Sequence, residues 1–270
     1  IKNVLTAHEQ GAIHAADGYA RASGKVGVCI ATSGPGATNI VTGLATAYLD
    51  SIPLVAISGQ VPVANLGRDA FQEIDIVGVT MPITKYNAIV RKSEELVPML
   101  RKAFAIAKNG RPGPVLIDVP SDLQVKELDY PELEEIKLPE VMKADEGIVE
   151  KAAAALNGAE RPVLMVGGGA VTSAVEAELM ELAHKADLPV VSTLMGLGVY
   201  PGSDERAIGL TGMHGHIDCN LAVANADVLI VAGSRLSDRV TGDRNRYAGT
   251  KTIIHMDIDP SELDKNVVVP

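Results

Sequence analysis

Short runs of aliphatic and β-branched residues recur along the chain, each followed by a glycine-bearing turn and then an alanine-rich stretch of helical length. The pattern predicts a strand at Val26–Ala31, a turn at Thr32–Gly36, a helix at Ala37–Leu49 and a strand at Leu54–Ser58. Ser93 is placed to cap a helix running to Asn109, closed by Gly110, with a strand at Pro114–Asp118 after it. Ile1–Leu5 reads as a strand already under way. From Lys126 to Gly147 the periodicity fails, and Pro131 and Pro139 punctuate a Glu- and Lys-rich stretch that reads as a linker. The alternation then restarts: helix Ile148–Asn157, strand Val163–Val166, glycines Gly167–Gly169, helix Ala174–Ala186, and strands Pro189–Ser192, Val228–Ala232 and Thr252–Asp257. This is the βαβ rhythm of parallel α/β domains. The fold class expected is α/β, two domains with parallel sheets flanked by helices. They are expected at residues 1–125 and 148–270 with a linker at 126–147, the first cut at its N-terminus and the second at its C-terminus.

Composition sharpens this picture. A chain of 270 residues suits two domains. Aromatics make up 3% and Trp is absent, so the cores must be built from Val, Ile, Leu and Ala, as in parallel sheets covered by small-residue helices. The net charge of -10, with no Lys/Arg cluster against it, repels a phosphate backbone and argues against nucleic acid. Small anions remain open, through helix N-termini and single arginines. Cys29 and Cys219 form no C-x-x-C pair and read as reduced thiols of a cytoplasmic protein. No apolar run reaches the ~20 residues of a membrane span, and no histidine shows metal spacing, so no metal ligand is assigned.

Three stretches carry candidate chemistry. In Thr6-Ala7-His8-Glu9-Gln10-Gly11 the plain reading is a capping box, Thr6 capping a helix and Glu9 reaching back to it. The helix face that follows is unusually small, which lets a ligand ring come close. Thr32-Ser33-Gly34-Pro35-Gly36-Ala37-Thr38-Asn39 is either a plain strand-to-helix turn or a backbone-exposed ligand turn, and it lacks the Lys of a nucleotide-triphosphate loop. The third is Gly59-Gln60-Val61-Pro62 followed by Asp69-Ala70-Phe71-Gln72-Glu73, which puts one of only two Phe residues in a polar context, as a core aromatic or a site residue.

These motifs, in this order, carry a family resemblance. His8–Ala12, Ala16–Gly24, Thr32–Asn39 and Ala70–Glu73 closely resemble the pyrimidine-binding domain of acetolactate synthases. The resemblance continues through Gly110–Val115, Met213–Gly215, Gly233–Arg239 and His255–Pro260, and so spans nearly the whole chain. It implies a thiamine-diphosphate-binding pyrimidine domain and a Rossmann-like central domain that holds FAD. The implied activity is decarboxylation of pyruvate and condensation with a second 2-oxo acid, the first common step towards the branched-chain amino acids.

By resemblance, Glu9 is the carboxyl group that hydrogen-bonds the cofactor's aminopyrimidine and promotes loss of the thiazolium proton. Burial that raises its pKa towards neutrality would suit this role. Pro35, Gly36 and Asn39 are implied to line the pyrimidine pocket, with Gln72 near the reacting centre and Phe71 shaping the substrate channel. For FAD the resemblance names Arg111, Gly167, Gly168, Thr193, Leu194, Met195, His214, Gly233, Arg235, Arg239, Asp257 and Ile258. Mg²⁺ and the diphosphate ligands are expected from a third domain, so this segment alone is expected to be inactive. The implied partners are 2-oxo acids and further catalytic subunits, as a homodimer or homotetramer, with a small regulatory subunit besides.

Two rivals bear on the second domain and the class. A dinucleotide motif laid on Gly167-Gly168-Gly169-Ala170-Val171-Thr172 puts Thr172 where the third glycine belongs, and Ser192-Thr193 stand where NAD would want an acid. An NAD dehydrogenase is therefore disfavoured. Another thiamine-dependent lyase or oxidase, and a non-catalytic flavin-binding module, stay open. Ser121 stands where many family members carry Lys, which puts a substrate-channel lysine in doubt.

Overall fold

The computed structural model describes residues 1–128, 136, 143–249 and 251–269. The chain divides into two compact units, residues 1–140 and 141–270. Most of the expected linker at 126–147 lies outside the described residues.

In the first unit helix α1 (Glu9–Ser23) precedes strand β1 (Gly27–Ala31), the short helix α2 (Pro35–Asn39), α3 (Val41–Leu49) and β2 (Leu54–Gln60). Helix α4 (Ile76–Thr80), β3 (Tyr86–Ile89), α5 (Leu96–Lys108), β4 (Pro114–Pro120) and α6 (Ser121–Gln124) complete it. The strands form one parallel sheet in the order β1-β2-β4-β3. Every residue of β4 is buried, as a central strand covered on both faces requires. In β1 burial alternates, with Val28 and Ile30 facing outward. Ile13, Ile40, Leu44, Leu54, Ile76 and Leu116 fill the core under α1 and α3.

The second unit runs α7 (Glu146–Asn157), β5 (Pro162–Val166), α8 (Gly168–Ser173), α9 (Glu176–Lys185), β6 (Val190–Ser192) and β7 (Ala207–Leu210). It continues through α10 (Ile217–Asn225), β8 (Val228–Ala232), α11 (Asp238–Thr241), α12 (Arg244–Ala248) and β9 (Thr252–Met256). All its strands are parallel, in the order β7-β6-β5-β8-β9. Chain order reverses between β5 and β8, so the carboxyl ends of those two strands flank a topological switch point. Separate apolar clusters cover the two faces, one around Leu164, Leu188 and Tyr200 and the other around Met165, Leu229 and Leu236.

The expected α/β class and the parallel sheets are present in both units, while several local expectations need correction. Ile1–Leu5 is not a strand. Ala37–Leu49 is two helices parted at Ile40, whose side chain is fully buried. Ser93 does not cap its helix: its side chain is buried, and the Glu95 carboxylate instead accepts from the Arg91 and Lys92 amides (3.1 and 3.2 Å). Ala174 does not start a helix but ends α8 in a left-handed conformation (φ 51°), and α9 begins afresh at Glu176. Strands β3 and β7 were not expected at all.

Candidate functional site

The capping-box reading of Glu9 fails, for a geometric reason. The N-cap of α1 is His8, in extended conformation, and its Nδ1 accepts from the Gln10 amide at 3.1 Å. Thr6 turns away to donate to the His8 carbonyl at 3.0 Å. Glu9 is thus released from capping, and its Oε2 accepts from Asn39 Nδ2 at 3.0 Å. That leaves Oε1 without a side-chain partner among the described residues and beside Gly36, where a Cβ would lie 3.3 Å from it and 2.6 Å from Thr32 Cγ2. A side chain at position 36 would crowd the carboxylate. The hydrogen bond from Asn39, followed by that from Glu9's own amide, holds the carboxyl below its ordinary range. This is opposite to the expected rise, because Glu9 is only half-buried by its own unit.

The same turn meets the Phe71–Gln72 loop. Gly34 adopts φ 60°, and a Cβ there would lie 2.8 Å from both Gln72 Cβ and the Gln72 carbonyl oxygen. Only a residue without a side chain allows that approach and that backbone conformation together. Gln72 itself is left-handed at φ 60°, and Phe71 is 88% exposed rather than a core aromatic. Glu9, Pro35, Gly36, Asn39 and Gln72, named from far-apart motifs, therefore share one neighbourhood. Ser121 lines a cleft of about 580 Å³ with Thr32, Ser33, Gly59, Gln60 and Gln124.

Beneath it lies a network that the sequence reading missed. Asp118 on β4 sits opposite Ser58 on β2 and is 1% exposed. Its Oδ1 accepts from Ser58 Oγ at 2.6 Å and its Oδ2 from Gln60 Nε2 at 2.9 Å. No cation pairs with it among the described residues, and burial pushes its carboxyl up to about 6. A signal was there: an acid within the otherwise apolar run Pro114–Pro120.

In the second unit, each predicted FAD residue follows the carboxyl end of a strand. Gly167 and Gly168 follow β5, Thr193, Leu194 and Met195 follow β6, His214 lies beyond β7, Gly233, Arg235 and Arg239 follow β8, and Asp257 and Ile258 follow β9. The Gly167 amide donates to the Ala232 carbonyl and the Gly169 amide to the Gly233 carbonyl (2.9 Å each). Thr193 N–H donates to the Val166 carbonyl (2.9 Å), Thr211 N–H to Ser192 (2.9 Å), and Gly233 N–H to Met256 (2.8 Å). Gly233 has φ 63°, and a Cβ on it would stand 2.5 Å from the Ala170 amide nitrogen. Met213 N–H donates to the Arg239 carbonyl (2.8 Å), bringing the His214 segment to α11. Leu194, Met195, Met213 and Ile258 are exposed on these loops, an apolar rim above backbone glycines. Arg235 is half-buried, and its guanidinium has no hydrogen bond or ion pair among the described residues. Arg111 belongs to the first unit, where its Nε donates to Ser51 Oγ at 2.8 Å. Among the described residues no three His, Cys, Asp or Glu side chains group to hold a metal ion, and no helix is long and apolar enough to cross a membrane.

A half-exposed carboxylate held beside a glycine-lined turn, and a Rossmann-type strand order with its loops at the switch point, define the class. Residues 1–79 match the thiamine pyrophosphate enzyme N-terminal TPP-binding domain, and residues 149–270 match the thiamine pyrophosphate enzyme central domain. The chain belongs to the thiamine pyrophosphate enzymes.

Within that family it is homologous to acetolactate synthase large subunits. It is 52% identical to the probable acetolactate synthase large subunit of Methanocaldococcus jannaschii, over 98% of this chain and 46% of that protein. It is 45% identical to the Haemophilus influenzae large subunit, over 100% of this chain and 48% of that protein. The large subunit of Escherichia coli isozyme 3 is 44% identical, over 99% and 47%. The chain spans about half the length of these relatives.

Proposed function

We propose that this chain forms the pyrimidine-binding and central parts of an acetolactate synthase large subunit. That enzyme decarboxylates pyruvate and joins the resulting two-carbon unit to a second 2-oxo acid, pyruvate or 2-oxobutyrate. The observation that carries the reading is the Glu9–Asn39 pair set against Gly36. Thiamine diphosphate, when bound, supplies the acidic thiazolium carbon and the electron sink for decarboxylation. Glu9 Oε1 is the atom placed to hydrogen-bond an aminopyrimidine nitrogen, with Asn39 fixing the other oxygen. Burial of Glu9 by the cofactor would raise its pKa, so that the carboxyl takes up and returns a proton. Gln72 and Phe71, on a loop braced against the same turn, meet the 2-oxo acid and keep water from it.

The central part is proposed to hold FAD across the switch point of its sheet. The glycines admit the ligand to the backbone, Arg235 and Arg239 meet the diphosphate, Asp257 accepts from ribose or ring donors, and the apolar rim covers a ring. The residues proposed for FAD also include His214. Mg²⁺ and the diphosphate of thiamine diphosphate are assigned to residues outside this chain. Further catalytic subunits and a small regulatory subunit are the partners proposed, and the cytoplasm the location.

The test is to assay acetolactate formation from pyruvate by the full-length protein with thiamine diphosphate, Mg²⁺ and FAD, and to titrate this segment alone by calorimetry. Turnover by the full-length protein, with no Mg²⁺-dependent binding by the segment, is expected. Absence of acetolactate from the full-length protein would overturn the assignment.

A further inference from the structure

The loop that carries Phe71 and Gln72 has an improbable backbone. Gly67, Asp69 and Gln72 all have positive φ (74°, 54° and 60°), and two of the three bear side chains. Such a path persists only where surrounding contacts over-determine it. Here they do so at both ends. On the near side the Glu73 carboxylate accepts from the amides of Gly67, Arg68 (3.3 Å) and Ala70 (3.0 Å), gathering three nearby donors onto one side chain. On the far side Gln60 Nε2 donates to the Ile74 carbonyl at 2.8 Å. The orientation of that amide is fixed by two further bonds: its Oε1 accepts from the Val61 amide at 2.9 Å, and its Nε2 donates to Asp118 at 2.9 Å. Ser58 in turn fixes Asp118.

We propose that Glu73 and the buried pair Asp118–Gln60 are positioning residues, a two-point clamp that holds Phe71 and Gln72 against the Gly34 turn and so governs how a 2-oxo acid side chain is received. The proposal rests on the acetolactate synthase reading for the role of Phe71 and Gln72. None of the clamp residues bonds to Glu9 or Asn39, which are held by α1 and α2. Loosening the clamp therefore disturbs recognition of the 2-oxo acid and spares activation of the cofactor. The chemistry of the network makes the substitutions specific. In Asp118→Leu the acceptor facing Gln60 Nε2 is lost, so one of the bonds that orient the Gln60 amide goes with it, whereas Asn would keep an oxygen there by turning its NH₂ group to Ser58 Oγ, a hydroxyl that can accept. In Glu73→Gln one of the two acceptor oxygens is lost.

The experiment uses full-length protein carrying Asp118→Leu or Glu73→Gln, with Gln60→Met as a further variant should Asp118→Leu fail to fold. Amide hydrogen exchange, which needs no turnover, is expected to quicken about tenfold or more at Val61 in Asp118→Leu, and at Gly67 in Glu73→Gln, whose one remaining oxygen keeps Arg68 and Ala70. With pyruvate and 2-oxobutyrate as acceptors, KM should rise about tenfold with kcat held within about threefold, while deuterium exchange at the cofactor's thiazolium carbon stays within about twofold of wild type. Unchanged amide exchange, or unchanged KM, overturns the clamp. Parallel loss of thiazolium exchange reduces these residues to general fold support and also overturns it. A wild-type protein that shows no thiazolium exchange sinks the acetolactate synthase reading instead, and the clamp as a device of that reaction falls with it.

Discussion

Glu9 Oε2 and Asn39 Nδ2 meet at 3.0 Å across 30 positions of chain, joining the first turn of α1 to the last residue of α2. The bond occupies one carboxylate oxygen and leaves the other beside Gly36. It also sets the charge state, since a carboxylate accepts from an amide better than a protonated carboxyl does. Replacing Glu9 by Gln in the full-length enzyme should slow proton exchange at the thiazolium carbon by about 10²–10⁴-fold, the usual weight of a general acid/base group. FAD should stay bound. Deuterium exchange followed by NMR measures it, and an unchanged rate would strip Glu9 of its catalytic part.

Asn39→Ala makes a complementary test. The folded-state pKa of Glu9 is depressed, chiefly by Asn39. The hydrogen bond therefore contributes stability above the unfolded pKa, and that contribution is lost as pH falls through the folded value. Removing Asn39 should raise the carboxyl pKa and move the acid limb of the thiazolium exchange profile to higher pH. An acid limb that does not move would separate Asn39 from proton traffic.

Arg235 carries a guanidinium with no partner among the described residues, beside the carboxyl end of β8. Its replacement by Ala should weaken FAD by about 1.5–3 kcal/mol, the worth of a hydrogen bond to a charged group. NAD and NADP should bind negligibly to either protein. Equilibrium dialysis against the three ligands decides the matter, and tight NADP binding without FAD would reverse the assignment.

Gly233 is left-handed and lies against the Ala170 amide. Gly233→Ala adds both backbone strain and a steric conflict, for a loss on the order of 2–5 kcal/mol. Thermal unfolding should show it as a large drop in Tm whether or not FAD is present. A variant as stable as wild type would mean that the turn between β5 and β8 is looser than its geometry.

Asp118 inverts the usual pH dependence of a carboxylate. Burial lifts its pKa to about 6, above the ~3.9 of an unfolded Asp. Between those values the folded state binds more protons, so stability falls as pH rises from ~4 to ~6, by up to roughly 3 kcal/mol. Asp118→Asn removes this component. The difference between wild-type and variant stability, measured by urea unfolding across that range, should change by about that amount and level off above the upper value. A difference that is flat with pH would show that Asp118 does not titrate there.

How much of this was legible in the sequence depends on where the determining contact lies. Pro114–Pro120 and Val228–Ala232 are near-continuous apolar runs because both faces of those strands are covered, and they read plainly as strands. Tyr86–Ile89 and Ala207–Leu210 are half-buried at every position, and one carries Asn and the other Gly, so only the neighbouring strand makes them strands. Thr6 and Glu9 have the spacing of a capping box, but His8 takes the cap and a residue 30 positions away takes the carboxylate. Local spacing cannot register such a competitor. The parallel second sheet followed from the alternation of elements, whereas the Asp118–Gln60 network required knowing that β2 and β4 are neighbours.

The second unit separates frame from lining. Gly167, Gly169 and Gly233 approach one another backbone to backbone and hold the strand ends together, while Leu194, Met195, Met213 and Ile258 stand exposed on the loops after β6, β7 and β9. Point changes in the rim alter what the crevice grips without endangering the sheet, and changes in the frame do the reverse. Over many generations such an arrangement lets ligand preference drift along one set of positions while heritable folding is guarded at another. A survey of natural variants should find the two kinds of tolerance sorted almost residue by residue.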